Sequence, residues 1–307
     1  MHVPVMLREV LDLMAIRPGG IYLDGTLGMG GHARAILERM GGQGCLLGMD
    51  CDATALVQAE LNLAAWRNQC RLARGNFCGL KDQAAAWGVL GFDGILLDLG
   101  MSSGQVDDPE RGFSFQHDGP LDMRMDRTRP GTAAELLASL AERELAEQLR
   151  QWGDELDARR IARAIVNDRG RRPFVTTRQL AELVARIKGR RRGKIHPATR
   201  TFQALRIMVN HEIERLEQGL RDGLSLLKPG GRLAVLAYHS LEDRMVKNVV
   251  REHIVSWESL PAGGQRRVGL RPAVHWVTPK PVVPTEAEVL SNPRARSAKL
   301  RVAERTE

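Results

Sequence analysis

Short, continuously apolar runs alternate with stretches whose apolar positions recur every three or four residues, and this alternation fills the first hundred residues. The runs predict strands over 20–24, 45–50 and 94–98, residues 71–76 read as a further short strand, and the periodic stretches predict helices over 2–13, 31–40, 53–65 and 81–90. Strands and helices alternating at this spacing specify an α/β fold with a parallel sheet covered on both faces. In such sheets ligands sit outside the carboxyl ends of the strands. Asp24, Asp50, Phe77 and Asp98 all fall at such ends.

Beyond Asp98 the pattern breaks. Residues 99–129 are rich in Gly, Pro, Ser and Asp and read as one long loop, a length that marks functional segments in compact domains. Thr132 and Glu135 form a capping-box pattern ahead of Leu137, Ala141, Leu145 and Leu149 at helical spacing. A second helix is expected over 158–168, and a third from the Thr176–Gln179 cap to Gly189. Pro197 stands where a helix can begin, and Phe202, Leu205, Val209, Ile213, Leu216, Leu220 and Leu224 continue as one long amphipathic helix. A fifth strand follows over 232–238, then a helix over 241–254. Residues 257–284 read as loop, and the basic tail over 292–301 turns strand-like at its end. The expected organisation is a domain of 1–128 and 205–307 interrupted by a helical insert of 129–204.

Composition adds location and partner. The chain is 43% hydrophobic and 27% charged, a soluble globular balance, and no apolar run reaches the ~18 residues of a membrane span. Arg8, Glu9 and Asp12 interrupt the first apolar pattern, so no signal peptide is expected. Four cysteines, Cys45, Cys51, Cys70 and Cys78, make no close-set metal pairs and read as reduced thiols of a cytoplasmic protein. The net charge is +8, yet residues 159–206 hold fifteen Lys/Arg against two acids. That asymmetry, with Arg190-Arg191-Arg192-Gly193-Lys194 in an expected loop, points to a nucleic acid on that part of the surface.

The chemistry centres on Asp24-Gly25-Thr26-Leu27-Gly28-Met29-Gly30-Gly31-His32, a strand end, a glycine turn and a helix start. Such a turn brings backbone N–H groups close to a ligand, and Asp50, ending the next strand, is placed to accept hydrogen bonds from ribose hydroxyls. The glycines lack the third member of the dinucleotide fingerprint, and no phosphate-loop lysine follows. A nucleoside without phosphate, such as S-adenosylmethionine, fits better. Methyl transfer needs an aligned acceptor and a destination for its proton. Asp98, Ser102, Ser103 and Gln105 supply the polar groups for that after the fourth strand. Methylating C5 of a pyrimidine uses a thiolate, and no cysteine follows Cys78, so transfer to nitrogen or oxygen is favoured. Phe113, Phe115 and Tyr238 are candidates to hold an unstacked base, each with a core role as the alternative. His32 reads equally as binding or structural, and His196 and Arg200 flank a helix start suited to phosphate. His239-Ser240 ends the fifth strand, the right address for a site residue. Asp107, Asp108, Asp118, Asp122 and Asp126 lack a calcium-loop pattern and read as a solvated loop, so no metal is expected.

These residues carry a family likeness. The chain resembles the bacterial ribosomal RNA small-subunit methyltransferases that act on N4 of a cytosine in 16S rRNA. The matching blocks are 2–5, 24–32, 98–103, 111–115 (Arg-Gly-Phe-Ser-Phe), 119–126, 196–207, 229–244 and 292–300. The resemblance implies a Rossmann-like class I S-adenosylmethionine-dependent methyltransferase with an inserted all-helical domain. It implies a decoding-centre cytosine of the small ribosomal subunit as acceptor, and donor contacts from Gly30, Gly31, His32, Asp50, Phe77, Asp98 and Gln105. Asp98 and Ser102 are the candidate catalytic groups. One departure is Gly104, where the family usually has proline, which removes a fixed φ from the loop that places Gln105. Two rival readings are methylation of another acceptor, and an RNA-binding assembly factor with a vestigial nucleoside pocket.

Overall fold

The apolar runs of the first hundred residues become parallel strands in a computed structural model of the chain, which describes residues 4–189, 196–260 and 263–307. Strands β1 (Ile21–Asp24), β2 (Cys45–Asp50), β3 (Cys70–Arg74), β4 (Phe92–Asp98) and β5 (Leu227–Ala237) pair in parallel. A two-stranded ribbon of β6 (Ser256–Ser259) and β7 (Gln265–Val268) follows, then β8 (Val274–Trp276) and β9 (Lys299–Arg305). The main sheet has the order β3-β2-β1-β4-β5-β9-β8, with β9 antiparallel to β5 and β8 antiparallel to β9. Side chains alternate across it. Tyr22, Leu46, Leu96 and Leu236 face one core with Ile36 and Leu37, and Leu23, Leu47, Ile95, Leu97 and Val235 face another with Leu216, Leu220 and Leu224. The fold is Rossmann-like. No helix among the described residues is long and apolar enough to cross a membrane.

The chain divides into two compact units, one of Met1–Gly100 with Ile213–Glu307 and one of Met101–Glu212. The helical unit is thus wider at both ends than the expected 129–204. The reason lies in 99–129, which is not an open loop: Phe113, Leu121 and Met123 are buried in the helical unit's own core with Leu137, Leu145, Ile161 and Leu180. A short helix, Ser103–Asp107, also forms within it.

Other expectations change for similar reasons. The helix expected over 132–149 is two, Ala133–Ser139 and Glu142–Gly153, because Leu140 and Ala141 are extended. The Arg169 guanidinium donates to the freed carbonyls of Leu137 and Leu140 at 2.7 and 2.6 Å. The long helix over 202–224 is also two, Thr199–Asn210 and Glu212–Leu226, separated by His211 in the left-handed region at φ 49°. Asn210 makes the break worthwhile: its side chain accepts from Met125 N–H and donates to Met123 C=O, each at 2.8 Å. Residues 257–284, expected as loop, contain the ribbon and β8. The Lys228–Gly231 turn is an irregularity inside β5, with Leu227 opposite Phe92 and Arg232 opposite Gly94. The N-terminal helix is Leu7–Leu13, shorter than 2–13, and the first three residues lie outside the described ones.

Within the helical unit, Glu155 is buried and both its carboxylate oxygens accept from Lys188 Nζ, at 2.9 and 2.8 Å. Lys188 also donates to Pro197 C=O at 2.9 Å, pinning the ends of the segment that carries Arg190–Lys194, itself outside the described residues. Lys188→Met strands the Glu155 charge in the core. It is expected to destabilise this unit by about 3 kcal/mol, the range for breaking a buried pair from one side. Urea unfolding followed by the fluorescence of Trp152 in a background without other tryptophans measures it, and an unchanged midpoint would refute the pair's role.

Candidate active site

The strand order places a topological switch at β1, since the chain runs outward through β2 and β3 and then returns to β4 on the other side. Asp24, Asp50 and Asp98 end β1, β2 and β4, three neighbouring strands, and Phe77 lies just past β3. The glycine turn is fastened between these ends by two ladder bonds that outlast the strands. Gly25 N–H donates to Leu96 C=O and Leu27 N–H to Met49 C=O, both at 2.9 Å.

Asp50 anchors the turn's far side. One carboxylate oxygen accepts from Gly28 N–H at 2.7 Å and the other from Asp52 N–H at 2.8 Å, so the group's direction is set before any ligand arrives. Burial nonetheless pushes its pKa up, with those two amides opposing. Gly28 sits at φ +53° with no atom nearer than 4.0 Å to where a Cβ would stand, which leaves that face of the turn open. Gly30 and Gly31 answer a different need. Gly30 caps the helix Gly31–Met40 at φ +82°, a Cβ on it would press on Leu63 at 3.2 Å, and one on Gly31 would meet Pro4 at 2.7 Å. No side chain caps that helix, so its leading N–H groups and dipole face the carboxyl edge of the sheet.

Asp98 is tied in on several sides. Its backbone N–H donates to Thr26 Oγ1 at 2.6 Å, its Oδ1 accepts from the Tyr238 hydroxyl at 2.7 Å, and its Oδ2 lies 3.5 Å from His32 Nδ1. His32 is buried, and its Nε2 is 3.0 Å from the Val5 carbonyl. Burial and then the Asp98 charge hold the Tyr238 phenol far above its ordinary pKa, so it stays protonated. Asp24, 1% exposed, accepts from Thr26 N–H at 3.1 Å, and burial pushes it up to about 7 against the opposing pull of His32. Sequence reasoning missed Thr26, although a hydroxyl two residues after an aspartate in a turn is a side-chain-to-backbone signal. It also treated Tyr238 as a base-holding ring and not as a donor to Asp98.

Phe77 begins a short 3₁₀ turn and lies against Gly219 of the helix Glu212–Leu226, where any Cβ would collide with its ring. In the helical unit, Ser102 caps Ser103–Asp107 in a full capping box. Ser102 Oγ accepts from Gln105 N–H at 3.3 Å and Gln105 Oε1 from Ser102 N–H at 3.1 Å. Gly104 therefore sits inside a helix, and the box fixes Gln105 without the proline's constraint. Phe113 is core, and Phe115 packs on His196 and Phe202 at centroid distances of 4.4 and 4.8 Å. His196 Nδ1 accepts from Ala198 N–H at 3.2 Å, a local fastening, and Arg200 donates at 3.0 Å to the carbonyl of Asp154, which ends the helix Glu142–Gly153. His239 caps the helix Ser240–His253 with Glu242. The loop aspartates are not merely solvated, for Asp122 is buried and takes Arg124 on both oxygens at 2.7 and 2.8 Å. Much of the basic excess has internal partners, among them Arg160 with Asp157 and Arg186 with Asp168, though those guanidinium groups stay mostly exposed.

Because Asp24 binds its proton more tightly when folded than when unfolded, its contribution to stability is full below the ordinary carboxylate range and is lost as pH rises towards 7. Asp24→Asn keeps an acceptor for Thr26 and removes that titration. The melting temperature of the variant minus that of the wild type is expected to be more positive at pH 8 than at pH 5. A difference independent of pH would show that Asp24 is ionised throughout.

Residues 1–306 match the model of the MraW methylase family. The chain is 50% identical over 307 residues to the ribosomal RNA small subunit methyltransferase H of Geobacter sulfurreducens, covering 99% of this chain and 98% of that one. It is 48% identical to the proteins of the same name from Trichlorobacter lovleyi and Thermomicrobium roseum, again over 99% of this chain and over 98% and 93% of theirs. With a match that runs almost end to end and takes in every carboxylate described above, the chain belongs to the MraW methylase family and is an S-adenosylmethionine-dependent methyltransferase.

Proposed function

We propose that the protein, in the cytoplasm, methylates the exocyclic N4 of a decoding-centre cytosine in 16S rRNA of the small ribosomal subunit. The observation that carries this reading is the near full-length identity to proteins named ribosomal RNA small subunit methyltransferase H. The blocks around Asp98 and 111–115 support the finer target, and the basic excess of 159–206 suits a polyanionic substrate.

The first unit's residues fit the donor. The open face at Gly28 and the uncapped start of Gly31–Met40 admit a ligand against backbone, and the oriented Asp50 carboxylate matches two ribose hydroxyls. In this reading Gly30, Gly31 and His32 shape the turn, Phe77 and Gln105 complete the donor contacts, and the bound donor supplies an electrophilic methyl carbon. Asp98 accepts a hydrogen bond from the acceptor's amine, turns its lone pair towards that carbon and takes the proton that the amine must lose. Ser102 is the second group for ordering the amine. The absence of any cysteine after Cys78 agrees with transfer to nitrogen and not to ring carbon.

Labelled S-adenosylmethionine, incubated with small subunits from cells lacking this gene, should place label in N4-methylcytidine on nucleoside analysis. Label in another nucleoside would keep the enzyme and discard the target, and donor binding without any label would favour a binding role. Asp50→Ala should weaken donor binding by about 1–3 kcal/mol, the cost of leaving buried polar groups unpaired. Calorimetry giving an unchanged dissociation constant would remove the ribose assignment.

A further inference from the structure

The N-terminal segment lies against the start of the helix Gly31–Met40. A Cβ on Gly31 would meet Pro4 Cγ at 2.7 Å, and Val5 and Met6 are buried in one core with Ile36, Leu37, Ala295 and Ala298. One peptide unit of that segment is held from both sides. The Val5 carbonyl accepts from His32 Nε2 at 3.0 Å, and because a carbonyl oxygen only accepts, that nitrogen carries a hydrogen whichever form the ring takes. The N–H of the same peptide, that of Met6, donates to Glu288 Oε1 at 2.6 Å, across 282 residues of chain. In a trans peptide C=O and N–H point in opposite directions, so a grip on the N–H sets the aim of the carbonyl.

Glu288 does not go where its local sequence would send it. Thr285 caps the helix Glu286–Ser291 and accepts from Glu288 N–H at 3.2 Å, the first half of a capping box. In the helices capped by Ser102, Thr132, Thr176 and His239, the third residue's side chain closes the box by returning to its own cap. The Glu288 side chain instead answers Met6, which is fully buried and sits in the left-handed region at φ 51°. A long side chain keeps that conformation only where its surroundings fix it, and a buried N–H without an acceptor is costly. The Glu288 backbone is itself fixed, for its carbonyl accepts from Asn292 N–H at 2.6 Å.

We propose that Glu288 is a positioning residue of the donor site: by holding the Val5–Met6 peptide at its N–H, it aims the Val5 carbonyl at His32 and keeps Pro4 against Gly31. This rests on the reading of Gly31 and His32 as contacts of S-adenosylmethionine. Without the Glu288 bond the segment has to be ordered when the donor arrives, and that ordering weakens binding.

Calorimetry with S-adenosylmethionine on the full chain tests the role. Glu288→Gln keeps an acceptor for Met6, and its dissociation constant should stay within about threefold of wild type; Glu288→Ala keeps none, and its constant should rise ~10-fold. Because the effect runs through His32, the same Glu288→Ala change made in a His32→Ala background should alter affinity by less than about twofold. Wild-type affinity in Glu288→Ala overturns the proposal, as do equal losses in the two Glu288 variants or a loss undiminished in the His32→Ala background. If Glu288→Ala proves unfolded by circular dichroism, hydrogen exchange on the wild type decides: coupling is reciprocal, so saturating donor should slow exchange at Met6 N–H, and an unchanged rate overturns the proposal. A wild type that binds no S-adenosylmethionine removes the donor reading together with this one, whereas a binding wild type with silent variants removes only the role of Glu288.

Discussion

Three carboxylates ending three adjacent parallel strands are the constraint from which the site follows. Asp24, Asp50 and Asp98 crowd one edge of the sheet, and Asp24 is held where water cannot solvate it while Asp50 is half-buried. Each must be answered by a donor, and few side chains are available. The backbone answers Asp50 through Gly28 and Asp52, and it answers Asp24 through Thr26. Asp98 is answered by a phenol and faces an imidazole. The glycine turn is thus more than a gap for a ligand. Its amides at Thr26 and Gly28 donate to the acids that end β1 and β2, so the turn and those two acids are one device.

The same need explains what the helical unit does with its arginines and lysines. A run of fifteen positive residues in 159–206 looks like a surface for a polyanion. Part of it is instead internal architecture, with Arg169 capping two carbonyls and Lys188 neutralising a buried glutamate. Arg206 pairs with Glu212 at 2.8 Å and is largely buried with it. The exposed guanidinium groups of Arg160, Arg163, Arg178 and Arg186 carry internal partners at one edge and face solvent with the rest. A cation that is already oriented by a structural partner loses less freedom on meeting phosphate.

The sheet was legible because its signal is local. Three apolar runs ended in acids and a short mixed stretch ended just before an aromatic, and the order of helices between them left little choice of topology. The breaks were not legible because their causes are distant. Nothing near Leu140 announces that Arg169 will accept the duty of capping it, and nothing near His211 announces that Asn210 will reach Met123 and Met125. The loop after Asp98 misled for the converse reason: its Gly, Pro and Asp content read as solvent-facing, while Phe113, Leu121 and Met123 pack it into a core. Site residues divide the same way. Asp50 follows from spacing, whereas Tyr238 joins Asp98 only because β5 lies beside β4 in the finished sheet.

Gly30 and Gly31 show why a motif and its physical cause should be kept apart. Read as sequence, they appear to make room for a ligand. In the fold, the clearance they provide is for Leu63 and Pro4, and the open face belongs to Gly28. A side chain at Gly31 would push against Pro4, just ahead of Val5, whose carbonyl orients His32 and through it the far side of Asp98. The glycine turn therefore acts on both its flanks by packing. On one side it leaves backbone open at Gly28, and on the other it sets the imidazole that faces the carboxylate. A substitution at Gly31 would for that reason displace Pro4 and, through Val5, the imidazole that faces Asp98.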